Sequence, residues 1–201
     1  MASATASKPA QPSKPLPMPG NATIYMVRHA EKPDTGTGLS PAGQQRADAY
    51  VKYFQGLKNF EGKTIHWDHL FACKDSDNSD RPLLTLTPLA AALGKKVHCD
   101  YKDKDYAKFA EFLSQNAKQY AGSNVLICWH HGEALNLAEA MGASSATLPP
   151  SSNWPAKWNP NASGWLLKIY YKPEGTIHHS STVAINEHLM PDDTIDPVYG
   201  K

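Results

Sequence analysis

Two short clusters hold the residue types that handle an anion. Arg28-His29-Ala30-Glu31 and His130-His131-Gly132-Glu133 bring together a guanidinium and several imidazoles. Guanidinium groups pair with phosphate or carboxylate through parallel hydrogen bonds, and a neutral imidazole is both a nucleophile and a proton carrier near neutral pH. Each cluster directly follows an apolar run, Ala22 to Val27 in one case and Val125 to Trp129 in the other. In α/β folds ligands bind beyond the carboxyl ends of parallel strands. If these two runs are neighbouring strands, Arg28, His29 and one histidine of the later pair share a pocket. The helix expected after Gly132 points its N-terminus there, adding free N–H groups and a positive dipole end. A lone histidine is more often a satisfied structural residue, so it is the strand-end position that singles out His29. His178-His179 has no partner cluster and reads as strand surface. Trp154, Trp158 and Trp165 read as packing residues.

The elements that must position these groups alternate between strand and helix patterns. After Val27 comes a polar, Gly-rich stretch, then Ser40-Pro41, a cap residue followed by proline at the first helical position. Ala47, Tyr50, Val51, Phe54 and Leu57 follow at spacings of three and four, the stripe of a helix lying on a sheet. Ile65 to Cys73 reads as a strand and Arg81 to Leu93 as a helix stopped by Gly94. Val97 to Cys99 is a short strand. Tyr106, Phe109, Ala110, Leu113, Ala117 and Tyr120 mark one helix ended by Gly122. Val125 to Trp129, apolar throughout, suits a central parallel strand covered on both faces. The helix after it buries Leu135, Ala138 and Met141 and ends at Gly142. Beyond a loop over 143–163, Trp165 to Tyr171 and Ile177 to Ile185 form an antiparallel pair around Pro173-Glu-Gly175. The reading is a single α/β domain without internal repeats.

Composition narrows the class. The 201 residues carry 20 Lys+Arg against 19 Asp+Glu, a net charge of +1 that leaves no electrostatic footprint for nucleic acid. Cys73, Cys99 and Cys128 are too few and too widely spaced for a disulfide framework and read as reduced. No apolar run approaches the roughly 18 residues of a membrane span. Residues 1–20 hold five of the sixteen prolines and no acidic residue, and read as a disordered Pro/Ala/Ser-rich tail before a domain over 21–201. Neither a secretory signal nor a mitochondrial presequence fits that tail, so the expectation is a soluble, cytoplasmic protein. The expected partner is a small molecule, with no nucleic acid and no membrane.

Ile24-Tyr-Met-Val-Arg-His-Ala-Glu31 resembles the signature of the histidine phosphatase superfamily, branch 1, where an Arg-His pair ends the first strand. Three further elements agree in order and spacing. Gly38-Leu-Ser-Pro-Ala-Gly43 with Gln45-Arg-Ala47 matches the family's first helix start. Arg81-Pro-Leu-Leu-Thr85 with Pro88-Leu-Ala90 matches the segment carrying its second phosphate-binding arginine, and the strand with His131-Gly132 matches its second histidine. The resemblance spans about residues 22–142. It implies a phosphoglycerate mutase-like fold, a three-layer α/β/α sandwich on a mostly parallel sheet. It also implies phosphate monoester cleavage through a phosphohistidine, as in a histidine acid-type phosphatase. His29 would then be the nucleophile, Arg28 and Arg81 would bind the phosphate, and His131, with Gly132 next and Leu135 four positions on, would be the second histidine in preference to His130.

The chemistry agrees with that assignment. In-line phosphoryl transfer needs a nucleophile, positive groups on the equatorial oxygens and an acid for the leaving oxygen. Arg28 and Arg81 also disfavour a protonated His29, and they take the charge-neutralising role, so no metal or other cofactor is implied. The sequence departs from the family's mutases in having Ala30 and then Lys32-Pro-Asp34. The expected acidic stretch offers Asp100, Asp103 and Asp105 but no Glu before Glu111. Asp103 is the candidate acid, with helix capping as its structural alternative. A mutase, a phosphate-binding protein without turnover, and a zinc hydrolase are the competing readings. The last lacks H-x-x-x-H or C-x-x-C spacing.

Overall fold

Successive residues of the central strands bury into opposite layers, and this decides the architecture. In the computed structural model, which describes residues 16–191 and 193, the strands are β1 (Thr23–Arg28), β2 (His69–Ala72), β3 (Val97–His98), β4 (Asn124–Trp129), β5 (Trp165–Tyr170) and β6 (Val183–Asn186). They form one sheet in the order β3-β2-β4-β1-β5-β6, parallel except for β5, which runs antiparallel to both of its neighbours. Ile24 and Met26 of β1, Phe71 of β2 and Val125, Ile127 and Trp129 of β4 bury into one apolar layer. Tyr25, Val27, Leu70, Leu126 and Cys128 bury into the opposite one.

Helices α1 (Pro41–Gly56) and α2 (Arg81–Leu93) cover the second layer through Tyr50, Phe54, Leu86 and Leu89. Helices α3 (Tyr106–Gln115), α4 (Ala117–Tyr120) and α5 (His131–Ala140) cover the first through Phe109, Leu113, Tyr120, Ala134 and Leu137. The result is the expected three-layer α/β/α sandwich. None of the helices among the described residues is long and apolar enough to cross a membrane.

Four local expectations are corrected. The run Ile65 to Cys73 pairs only over β2, because Ile65 N–H donates to Leu57 O (3.0 Å) and the Trp67 indole to Phe54 O (2.8 Å). These bonds tie its first residues to the end of α1 instead of to a strand. The helix expected from Tyr106 to Tyr120 breaks at Asn116, whose side chain donates to Phe112 O (2.8 Å). His178-His179 is not strand surface: His179 opens a short 3-10 turn before β6. The tail boundary also moves. Residues 1–15 lie outside the described residues, but Met18 is 3% exposed within the core and its N–H donates to Gly175 O (3.2 Å). A Cβ on Gly175 would sit 2.2 Å from Met18 O, and that glycine's φ of +78° is one that other residues rarely adopt. The packed domain therefore includes residues 16–20.

Candidate active site

β1 and β4 are direct neighbours, and Arg28 stands opposite Trp129 in their ladder. The ladder runs one bond further, His29 N–H to Trp129 O at 3.1 Å, so both clusters leave the sheet side by side. Arg28 and His29 are only 5% and 3% exposed. His29 Nδ1 lies 2.7 Å from Ala30 O. A carbonyl only accepts, so Nδ1 carries the proton and Nε2 keeps its lone pair. Burial, joined by His130, Arg28 and Arg81, pushes the His29 pKa down to about 3 against the opposing pull of Ala30 O, and the ring is neutral.

The ring packed against His29 is that of His130, edge-on with centroids 4.8 Å apart. The sequence register selects His131, yet β4 runs straight into His130, which caps α5 with extended backbone (ψ 140°), while His131 is already the first helical residue. Burial, with Arg81, His131 and Arg28, lowers the His130 pKa to about 4. His131 is half-buried, lowered in turn by burial, Arg28 and Lys32, and its Nδ1 has no hydrogen-bond partner.

Thr85 fixes Arg81 to the same place. Its buried hydroxyl accepts from Ala30 N–H (2.9 Å) and donates to Arg81 O (2.8 Å), binding the first turn of α2 to the backbone just after His29. The Arg81 guanidinium is oriented by Thr37 O (3.0 Å), Gly36 O (3.3 Å) and Asn78 O (3.2 Å). Arg28 Nη1 donates to Pro160 O (2.5 Å) and Ala162 O (3.3 Å), which moors the loop before β5. Burial, before any charged neighbour, lowers the Arg28 pKa. Arg28 Nε and Arg81 Nε are buried and have no acceptor. Unpaired buried donors are costly and rare, and these two, beside a neutral imidazole, have the chemistry to take an anion.

A buried guanidinium supports the cluster from behind. Arg46 of α1 grips Glu31 Oε1 (2.7 and 2.9 Å) and both oxygens of Asp193 (2.7 and 2.9 Å), with Glu187 at 3.8 Å. One cation does not neutralise three carboxyls, two of them buried, and burial pushes Glu187 up to about 8. The helix reaches Glu31 because residue 43 is glycine: a Cβ there would lie 2.3 Å from Glu31 O. In the sequence Arg46 belongs to a family pattern without a role of its own, since Asp193 lies 147 positions away.

Asp103 opens a 3-10 turn before α3, on the Trp129 side of the cluster. Its Oδ1 is buried without a partner, and burial followed by the charge of Glu133 raises its pKa to about 6. The buried Cys73 thiol feels the Asp103 charge and meets the His130 backbone. Trp154, Trp158 and Trp165 are buried packing residues, with Trp158 and Trp165 5.3 Å apart. Among the described residues no group of three or more His, Cys, Asp or Glu is placed to hold a metal ion.

No family model and no curated protein sequence matches the chain. Solved structures do match it in shape. A phosphoglycerate mutase from Bacillus anthracis str. Sterne superposes with a TM-score of 0.51 at 14% identity, covering 81% of this chain and 93% of the mutase. The protein histidine phosphatase SixA complexed with tungstate gives 0.52 at 10% identity, over 81% and 96%. A phosphoserine phosphatase variant from Entamoeba histolytica, in complex with phosphoserine, gives 0.53 at 13% identity, over 87% and 100%. The chain thus carries the phosphoglycerate mutase-like fold.

Proposed function

We propose that the protein is a phosphatase that hydrolyses small phosphate monoesters through a phosphohistidine on His29. The observation that carries this reading is the neutral, Nδ1-protonated His29 beside three buried nitrogens without partners, Arg28 Nε, Arg81 Nε and His131 Nδ1. The arginines would hold the phosphoryl oxygens while His29 Nε2 attacks phosphorus in line. The N–P bond forms as the P–O bond to the leaving group breaks, and Asp103 gives its proton to the departing oxygen. Ala30 O, already accepting from Nδ1–H, stabilises the positive charge that develops on the ring. Water then attacks phosphorus, the N–P bond breaks, and the water's proton passes to Asp103, restoring the acid and releasing inorganic phosphate. In this scheme His130, packed on His29, takes the place of the second histidine, and His131 adds a hydrogen bond to the phosphate.

Two treatments test the reading together. Turnover of an aryl phosphate should survive a strong chelator, because Arg28 and Arg81 neutralise the phosphate. His29→Ala should abolish turnover yet still bind tungstate, since the arginines and His131 remain. Full loss with EDTA that zinc or magnesium restores, or wild-type turnover in His29→Ala, would overturn it.

A further inference from the structure

The acid assigned to Asp103 has a neighbour of the same charge. Glu133 sits in the first turn of α5, 6% exposed, and both of its oxygens are already engaged. Lys104 Nζ pairs with Oε1, and Asn136 Nδ2 donates to Oε2 at 2.6 Å. Asp103 Oδ1, in contrast, is buried with no partner. Where two carboxyls lie close together and only one has its oxygens served by donors, the served one holds the charge and the other holds the proton.

We propose that Glu133 is a positioning residue for the acid: its carboxylate, fixed by Lys104 and Asn136, keeps the proton on Asp103. This rests on the phosphatase reading, in which Asp103 must donate that proton to the leaving oxygen. The groups facing Asp103 are the Lys104 ammonium on its own turn, Glu133 on α5, the Trp129 indole on β4 and the Cys73 thiol at the end of β2. Lys104 favours the ionised form, while the indole N–H donates to the main-chain Asp103 O (3.2 Å). Burial and Glu133 oppose Lys104, and the net displacement is upward, to about 6. Glu133 is held from both sides of the site, since Lys104 belongs to the Asp103 turn and Asn136 to the helix that begins beside His130. Its charge is thereby fixed relative to both the acid and the histidines.

The test reads protonation directly and turnover separately. The carbonyl stretch of protonated Asp103, isolated as wild type minus Asp103→Asn in infrared difference spectra, gives a midpoint that needs no substrate. A midpoint near 6 is expected in wild type. In Glu133→Gln, which keeps the shape and the Asn136 contact, it should fall by about one pH unit, the size of a close like-charge effect. Glu133→Asp, which keeps the charge, should restore most of it. The alkaline limb of kcat/KM for an alkyl phosphate, whose leaving group needs a proton, should move with the midpoint, giving about a tenfold loss at pH 7. A wild-type midpoint near 4, or one unmoved in Glu133→Gln, would overturn the proposal whatever the turnover. Midpoints that behave as stated in a protein with no phosphatase activity would instead overturn the phosphatase reading alone.

Discussion

Thr85→Val isolates the link between the nucleophile and Arg81. The substitution keeps the branched shape of a fully buried side chain and removes one hydroxyl, which leaves Ala30 N–H buried without its 2.9 Å acceptor. An unsatisfied buried donor costs about 1–3 kcal/mol. For a domain of this size each kcal/mol lowers the melting temperature by about 2–4 °C, so the expected fall is roughly 2–12 °C. The same hydroxyl donates to Arg81 O at 2.8 Å, so its loss also frees the start of α2 from the backbone after His29. A misplacement of about 1 Å can cost about a hundredfold in rate. Thr85→Ser is the control, losing a methyl worth about 0.8 kcal/mol while keeping both bonds. Urea unfolding midpoints and aryl phosphate kinetics of the two variants provide the comparison. If the valine variant equals or exceeds the serine variant in both stability and kcat/KM, the hydroxyl does not tie the site together.

Two further outcomes follow from the same geometry. The acid must hold its proton and His29 must lack one, so turnover of an alkyl phosphate should be greatest between about pH 4 and 6. It should fall above 6 as Asp103 ionises and below 4 as His130 and then His29 protonate; in Asp103→Asn the alkaline limb should vanish, and a wild-type optimum above pH 8 would contradict the assignment. Met18→Ala should lower stability by about 2–4 kcal/mol, the cost of truncating a buried methionine, and an unchanged urea midpoint would show that residues 16–20 contribute nothing to the fold.

What the sequence disclosed and what it concealed divide by distance along the chain. β1 and β4 were legible because each is a continuous apolar run ending in polar residues, and α2 was bounded by Arg81 and Gly94 as its turn chemistry predicts. Met18 was not, because a proline-rich stretch reads as tail unless one knows that Gly175 leaves room for it. Register selects His131, since the Gly after it fits the family pattern, whereas the ring that the fold packs on His29 is that of His130, a contact no sequence pattern signals. Arg46 with Asp193, and Lys104 with Glu133, are pairs joined only by the tertiary fold, and no local period signals either.

The phosphohistidine on His29 is a covalent intermediate, and trapping it tests the mechanism directly. Wild-type protein mixed with a labelled aryl phosphate and quenched within milliseconds should carry acid-labile, base-stable phosphate on a peptide containing His29. Arg81→Ala should carry less of it and His29→Ala none. An active enzyme that shows no such label when dephosphorylation is slowed, or a label that maps to His130 or His131, would contradict His29 as the nucleophile.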